Sequence, residues 1–124
     1  MAWSIVAVEP ALSWLHDLRR TDRRILVLIS QAIEALRIER PALGRPLVDT
    51  IRGSTLPNLK ELRPGSAGAS EVRLLFVFDL ERQAVILAGG DKAGNWRGWY
   101  RMAVPLAEAA YADHLKRMEG HGDG

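Results

Sequence analysis

Apolar residues recur along this chain with two different periods, and the switches between them mark its elements. The run Trp3–Val8 (WSIVAV) is short and β-rich and predicts a first strand. Leu12, Leu15 and Leu18 then recur at three-residue spacing behind Pro10, a residue suited to the first position of a helix. A longer helix is predicted from a cap at Thr21 or Asp22 to Arg40. It puts Ile25, Leu28, Ile29, Ala32 and Leu36 on one face and is stopped by Pro41. Residues 41–57 carry Pro41, Gly44, Pro46, Gly53 and Pro57 and read as a connecting loop.

Period-two patterns follow. Leu59–Arg63 predicts a strand closed by Pro64 and the small-residue turn GSAGAS. Glu71–Asp79 (EVRLLFVFD) puts Val72, Leu74, Phe76 and Phe78 on one face and Arg73, Leu75 and Val77 on the other. Apolar residues on both faces mark a central strand. Ala84–Ala88 is wholly apolar and ends at Gly89-Gly90, and the short LERQ connection makes this last pair an antiparallel hairpin. After a loop, DKAGNWRGWY, a final helix is expected from Pro105. Its stripe is Ala107, Ala110, Tyr111, His114, Leu115 and Met118. The predicted fold class is α+β: an N-terminal strand and two-helix hairpin packed on a small, mainly antiparallel twisted sheet, plus a C-terminal helix. Residues 1–119 form one domain and 120–124 a flexible tail.

Composition changes this picture little. A chain of 124 residues suits one domain with its own core. There is no cysteine, which removes disulfides and thiolate chemistry and points to a cytoplasmic address. No stretch reads as a signal peptide or a membrane span, so no membrane partner is expected. The formal net charge is only +2, but its placement matters. Residues 53–101 hold seven basic and five acidic groups, whereas residues 102–124 hold two and four. Arginine supplies 14 of the 17 cations, which favours bidentate phosphate contacts, and a high-GC genome would give the same bias.

The chemical groups narrow the choice. His16, His114 and His121 have no metal-ligand spacing, and no carboxylate cluster resembles a hard-metal site, so no metal or other cofactor is expected. Gly89-Gly90 lacks the downstream pattern of a phosphate-binding P-loop, and no serine stands at a nucleophile elbow. What remains is a set of polar side chains at strand ends. Glu61 and Arg63 alternate on one strand, Arg73 begins the next, and Lys92 follows the third. A carboxylate beside cations suits metal-free RNA cleavage: the carboxylate takes a proton from a 2′-OH while the cations hold the phosphate. An Arg–Glu pair that merely stabilises the sheet is the structural alternative. The following loop interleaves Lys92, Asn95, Arg97 and Arg101 with Trp96, Trp99 and Tyr100, a mixture suited to phosphates and stacked bases. Trp96 and Trp99, three apart, are expected to include at least one core residue, leaving Tyr100 for substrate.

KELRPG at Lys60–Gly65, the VRLLFVFD strand and above all GGDKAGNWRGWYRMAVP at Gly89–Pro105 resemble the HigB-like, phage-derived branch of the RelE/ParE toxin superfamily. The resemblance covers most of the chain. It implies the toxin of a type II toxin–antitoxin system, a ribosome-dependent and metal-independent mRNA endonuclease that leaves a 2′,3′-cyclic phosphate. It also implies the partners: ribosome and mRNA, and a cognate antitoxin, with a helix-turn-helix domain, in a hetero-oligomer. By position, Arg73 matches the phosphate-binding strand arginine and Arg63 a supporting basic position. Glu61 falls where members place either a basic residue or a carboxylate base. Lys92 and Tyr100 match the polar and aromatic positions after the last strand, with Lys60, Asn95, Arg97 and Arg101 as further RNA contacts. Unlike several relatives, the chain has no histidine near that loop. A gyrase-poisoning ParE-type toxin and a non-catalytic RNA- or antitoxin-binding module are the alternative readings.

Overall fold

The computed structural model describes residues 4–39, 44, 46–65, 68–79, 81 and 83–122. The elements are β1 (Ser4–Ala7), α1 (Ala11–Thr21), α2 (Arg23–Glu39), β2 (Val48–Thr50), β3 (Lys60–Leu62), β4 (Val72–Phe78), β5 (Gln83–Asp91) and α3 (Trp96–Gly122). They form one five-stranded sheet in the order β1-β5-β4-β3-β2. Only β1 runs parallel to its neighbour, β5; the other three pairings are antiparallel. The helices cover both faces of the sheet, which accounts for the doubly apolar β4 and β5.

The hairpin α1–α2 buries Leu18, Ile25, Ile29 and Leu36 against Leu62, Leu74, Phe76 and Ile86. On the opposite face, Trp99, Ala103, Ala107 and Ala110 of α3 pack on Leu59, Leu75, Val77, Val85 and Leu87. Burying each of the larger side chains contributes about 1.5–3 kcal/mol. Alternation along β4 is as expected from its sequence, with Val72, Leu74 and Phe76 on the hairpin side and Leu75 and Val77 on the α3 side.

A bulge re-phases β5. Leu75 pairs with Ala88 and the next residue, Phe76, with Ile86, so Leu87 is the extra residue. Beyond the bulge, Gly89 faces α1 and Gly90 faces α3. A Cβ on Gly89 would collide with the Trp14 ring, and one on Gly90 with the Trp99 indole nitrogen. The two glycines let a tryptophan close on each face of the sheet. Arg73 pairs with Gly90 and thus emerges on the α3 side.

Three expectations are corrected. Residues 48–50 are not loop but the edge strand β2, antiparallel to β3; Pro46 and Gly53 bracket a run too short to show a period. The last helix begins at Trp96, nine residues before Pro105, which lies inside it. Asn95 makes the earlier start possible: its Oδ1 accepts the Gly98 N–H at 3.3 Å and its carbonyl the Trp99 N–H at 2.9 Å. On the predicted α3 stripe, Ala107, Ala110 and His114 are buried, while Leu115 is 44% exposed. Trp3, Arg40, Pro41, Leu80, Arg82, part of the GSAGAS turn and the last two residues, for which the sequence carries expectations, lie outside the described residues.

Candidate functional site

β3, β4 and the first turns of α3 bring Glu61, Arg63, Arg73, Lys92 and Tyr100 together on the α3 side of the sheet. Glu61 pairs with Leu75 across β3–β4, and with Asp49 across β2–β3. Two opposed carboxylates repel, and Arg63 resolves this by bridging them. Its guanidinium nitrogens lie 2.8–2.9 Å from Glu61 Oε1, and Nη2 lies 3.0 Å from Asp49 Oδ2. The hydrogen bond to Glu61 is the main reason the Arg63 guanidinium titrates above its ordinary range; partial burial opposes it. Glu61 is only 2% exposed. Its second oxygen accepts a hydrogen bond from the Tyr100 hydroxyl at 2.5 Å. Glu61, expected as a carboxylate that takes the 2′-OH proton, has both oxygens engaged, one by Arg63 and the other by Tyr100.

Tyr100 is half-buried, edge-on to Trp99 with ring centres 5.0 Å apart. Lys92 Nζ lies 5.5 Å from the centre of its ring. Burial first, then the hydrogen bond and negative charge of Glu61, push the Tyr100 hydroxyl from 10 up to about 12, while the Arg73 guanidinium works in the opposite direction. Tyr100 is therefore a neutral phenol at physiological pH. Its proton points at Glu61, so its oxygen lone pairs remain as acceptors, with the Arg73 guanidinium acting on the same oxygen.

Arg73 donates from Nη1 to the Val72 carbonyl at 2.8 Å, and its Nε is buried without a hydrogen-bond partner. That Nε is closed to solvent and has no hydrogen-bond partner among the described residues, so contact with a phosphate falls to the terminal nitrogens of the guanidinium. Among the described residues no group of three or more His, Asp or Glu is gathered as for a metal ion, and no helix is long and apolar enough to cross a membrane.

The other predicted contacts disperse. Lys60 projects from the hairpin face of β3, opposite Glu61, with Nζ 3.4 Å from Thr50 Oγ1. Asn95 is spent on capping α3. Arg97 lies over the exposed Trp96, 5.2 Å from its ring centre, one turn before Tyr100. Arg101 is exposed and shares a shallow groove with Tyr100 and with Arg52, which was not among the predicted residues. Asp49 was missed for the same reason as Arg52, since both sit in the segment read as loop. The signal for them was the β-rich run Leu47–Ile51.

The Tyr100–Glu61 contact predicts an alkaline titration. Followed by ultraviolet absorbance, neither of the two tyrosines should ionise near 10, since burial and the charge of Asp79 raise Tyr111 as well. In Tyr111→Phe the remaining midpoint should lie at about 12. Adding Glu61→Gln, which removes the carboxylate charge, should lower that midpoint. Because the folded-state value is the higher one, the stability this neutral phenol contributes is complete below pH 10 and lost as pH rises towards 12.

The family described as "Phage derived protein Gp49-like (DUF891)" matches residues 16–112. A candidate toxin of Mycobacterium tuberculosis, HigB2, is 53% identical over 112 residues, covering 90% of this chain and 54% of the relative. The chain thus spans about half the length of that relative. A second candidate toxin of the same organism, HigB3, is 46% identical over 119 residues, covering 96% of this chain and 99% of the relative. Among solved structures, a mutant of the E. coli toxin RelE in the free state superposes with a TM-score of 0.57 at 20% identity, over 85% of this chain and 97% of that one. That likeness shows a RelE-like fold.

Proposed function

This chain belongs to the phage-derived Gp49-like family, and we propose that it is the toxin of a toxin–antitoxin pair, a metal-independent endoribonuclease that cuts mRNA on the ribosome in the cytoplasm. The observation that carries this reading is the cluster of Arg73, Tyr100 and Glu61 at one end of the sheet. Arg73 holds the scissile phosphate through the terminal nitrogens of its guanidinium. A lone pair of Tyr100 takes the proton of the 2′-OH as the phenol passes its own proton to Glu61. The 2′ oxygen bonds to phosphorus, the bond from phosphorus to the 5′ oxygen breaks, and a 2′,3′-cyclic phosphate remains. The leaving 5′ oxygen needs a proton that arginine does not release, and Lys92 beside Tyr100 supplies it. Arg63 holds Glu61 in place through its ion pair, and Arg97 and Arg101 steer the strand. An antitoxin, carrying a helix-turn-helix domain, covers this face in a hetero-oligomer.

Induced expression of the chain alone should arrest growth and protein synthesis, and co-expression of the antitoxin encoded beside it should restore both. Unimpaired growth at high expression would remove the toxin reading.

A further inference from the structure

The loop between β2 and β3 is fastened to α3. Glu108 Oε2 accepts the Thr55 N–H at 2.7 Å and the Ser54 hydroxyl at 2.8 Å, and Ser54 Oγ in turn accepts the Leu56 N–H at 3.0 Å. These bonds hold the Glu108 carboxyl below the usual carboxylate range, the Thr55 N–H foremost, so the tether persists as pH falls until that lowered value is passed. Leu56 packs into the α3-side core, and the Ile51 N–H bonds the Leu59 carbonyl at 2.9 Å, closing the loop at its base. Gly53, at φ +82°, makes the left-handed turn between Arg52 and the tethered residues.

Arg52, at the start of this anchored loop, lines one groove with Tyr100, Arg101, Val104 and Pro105. Outer-surface arginines on the helices, Arg20, Arg37 and Arg117, pair with carboxylates one turn away. Arg52 and Arg101 have no ion pair among the described residues. Pro105 has no N–H, so the Arg101 carbonyl lacks its helical donor. Two guanidiniums without ion pairs, beside Val104, Pro105 and the Tyr100 ring, suit a single strand, whose phosphates seek cations and whose bases seek apolar faces.

We propose that this groove is the binding track for the mRNA strand beside the cut: Arg52 binds a phosphate next to the scissile one, and Glu108 is a positioning residue that holds the loop bearing Arg52. The inference rests on the ribonuclease reading and adds substrate contacts to it. On programmed ribosomes, Arg52→Ala should raise KM about three- to tenfold with kcat nearly unchanged, the sign of a binding contact remote from the reacting atoms. Glu108→Ala should do the same, and Glu108→Gln, which keeps an acceptor oxygen, should recover much of the loss. Binding of a short single-stranded 2′-O-methyl RNA, which cannot be cut, supplies a readout independent of cleavage. For Arg52→Ala the slope of log Kd against log salt should flatten by about 0.7, one phosphate contact on a single strand. If the wild type cuts mRNA while Arg52→Ala keeps both KM and slope, the groove assignment is overturned and the ribonuclease reading stands. If the wild type does not cut but its binding slope depends on Arg52, the groove stands and the nuclease reading falls. Absence of both cleavage and binding overturns both.

Discussion

Arg73→Ala should reduce mRNA cleavage by about two to three orders of magnitude, the usual cost of removing one preorganised donor from a developing oxyanion. The melting temperature should hardly move. In the folded protein Arg73 donates to the carbonyl of its own neighbour Val72, acts on the Tyr100 hydroxyl, and keeps a buried Nε that no group among the described residues satisfies. Removing the guanidinium therefore removes an uncompensated donor together with a weak contact, and these costs largely cancel. Arg73→Lys should recover only part of the rate, since an ammonium keeps the charge but loses the planar fork. Cleavage assays on programmed ribosomes, paired with thermal melts, separate the outcomes. A variant that unfolds on Arg73→Ala but stays active as Arg73→Lys would make the residue structural.

Glu61 and Tyr100 should separate stability from activity. Tyr100→Phe removes one hydroxyl from a half-buried ring and should lower cleavage about a hundredfold, within the range of general acid–base contributions, with a small change in melting temperature. Glu61→Ala should cost about 2–4 kcal/mol, because it empties a buried position and strips Arg63 of its best partner. Glu61→Gln keeps the volume and should lose as much rate as Tyr100→Phe. If the two groups act as one relay, the double variant should be no slower than either single one. Additive losses would mean that Tyr100 acts without Glu61.

Much of the fold was legible because burial on both faces of β4 and β5 leaves an unambiguous apolar signature, and the face assignment of Val72–Phe78 follows from alternation alone. The edge strand β2 was not, since three residues between Pro46 and Gly53 carry no periodicity, and with it went Asp49 and Arg52. Pro105 misplaced the start of α3, because a proline suits a first turn and its tolerance within a helix depends on surroundings that sequence does not display.

The most recognisable segment, Gly89–Tyr100, turns out to be largely architectural. Gly89 and Gly90 admit Trp14 and Trp99, Asp91 Oδ1 accepts the Glu71 and Ala93 N–H groups at 2.9 Å, Gly94 turns at φ +79°, and Asn95 caps against Gly98. That leaves Lys92, Arg97 and Tyr100 of the segment for chemistry. Arg63 and Glu61 show the complementary ambiguity: by chemistry alone the pair reads as a sheet-stabilising bridge before it reads as a catalytic couple. The contact of Glu61 with Tyr100, 39 residues away, is what joins it to the site.

The most direct test of the account is the chemistry of the cut. Purified protein, ribosomes and a defined mRNA should yield a fragment ending in a 2′,3′-cyclic phosphate, and the same mRNA with a single 2′-deoxynucleotide at the cleaved position should stay whole. Cleavage of the 2′-deoxy message, a product bearing a free 3′-hydroxyl, or an intact natural message would contradict it.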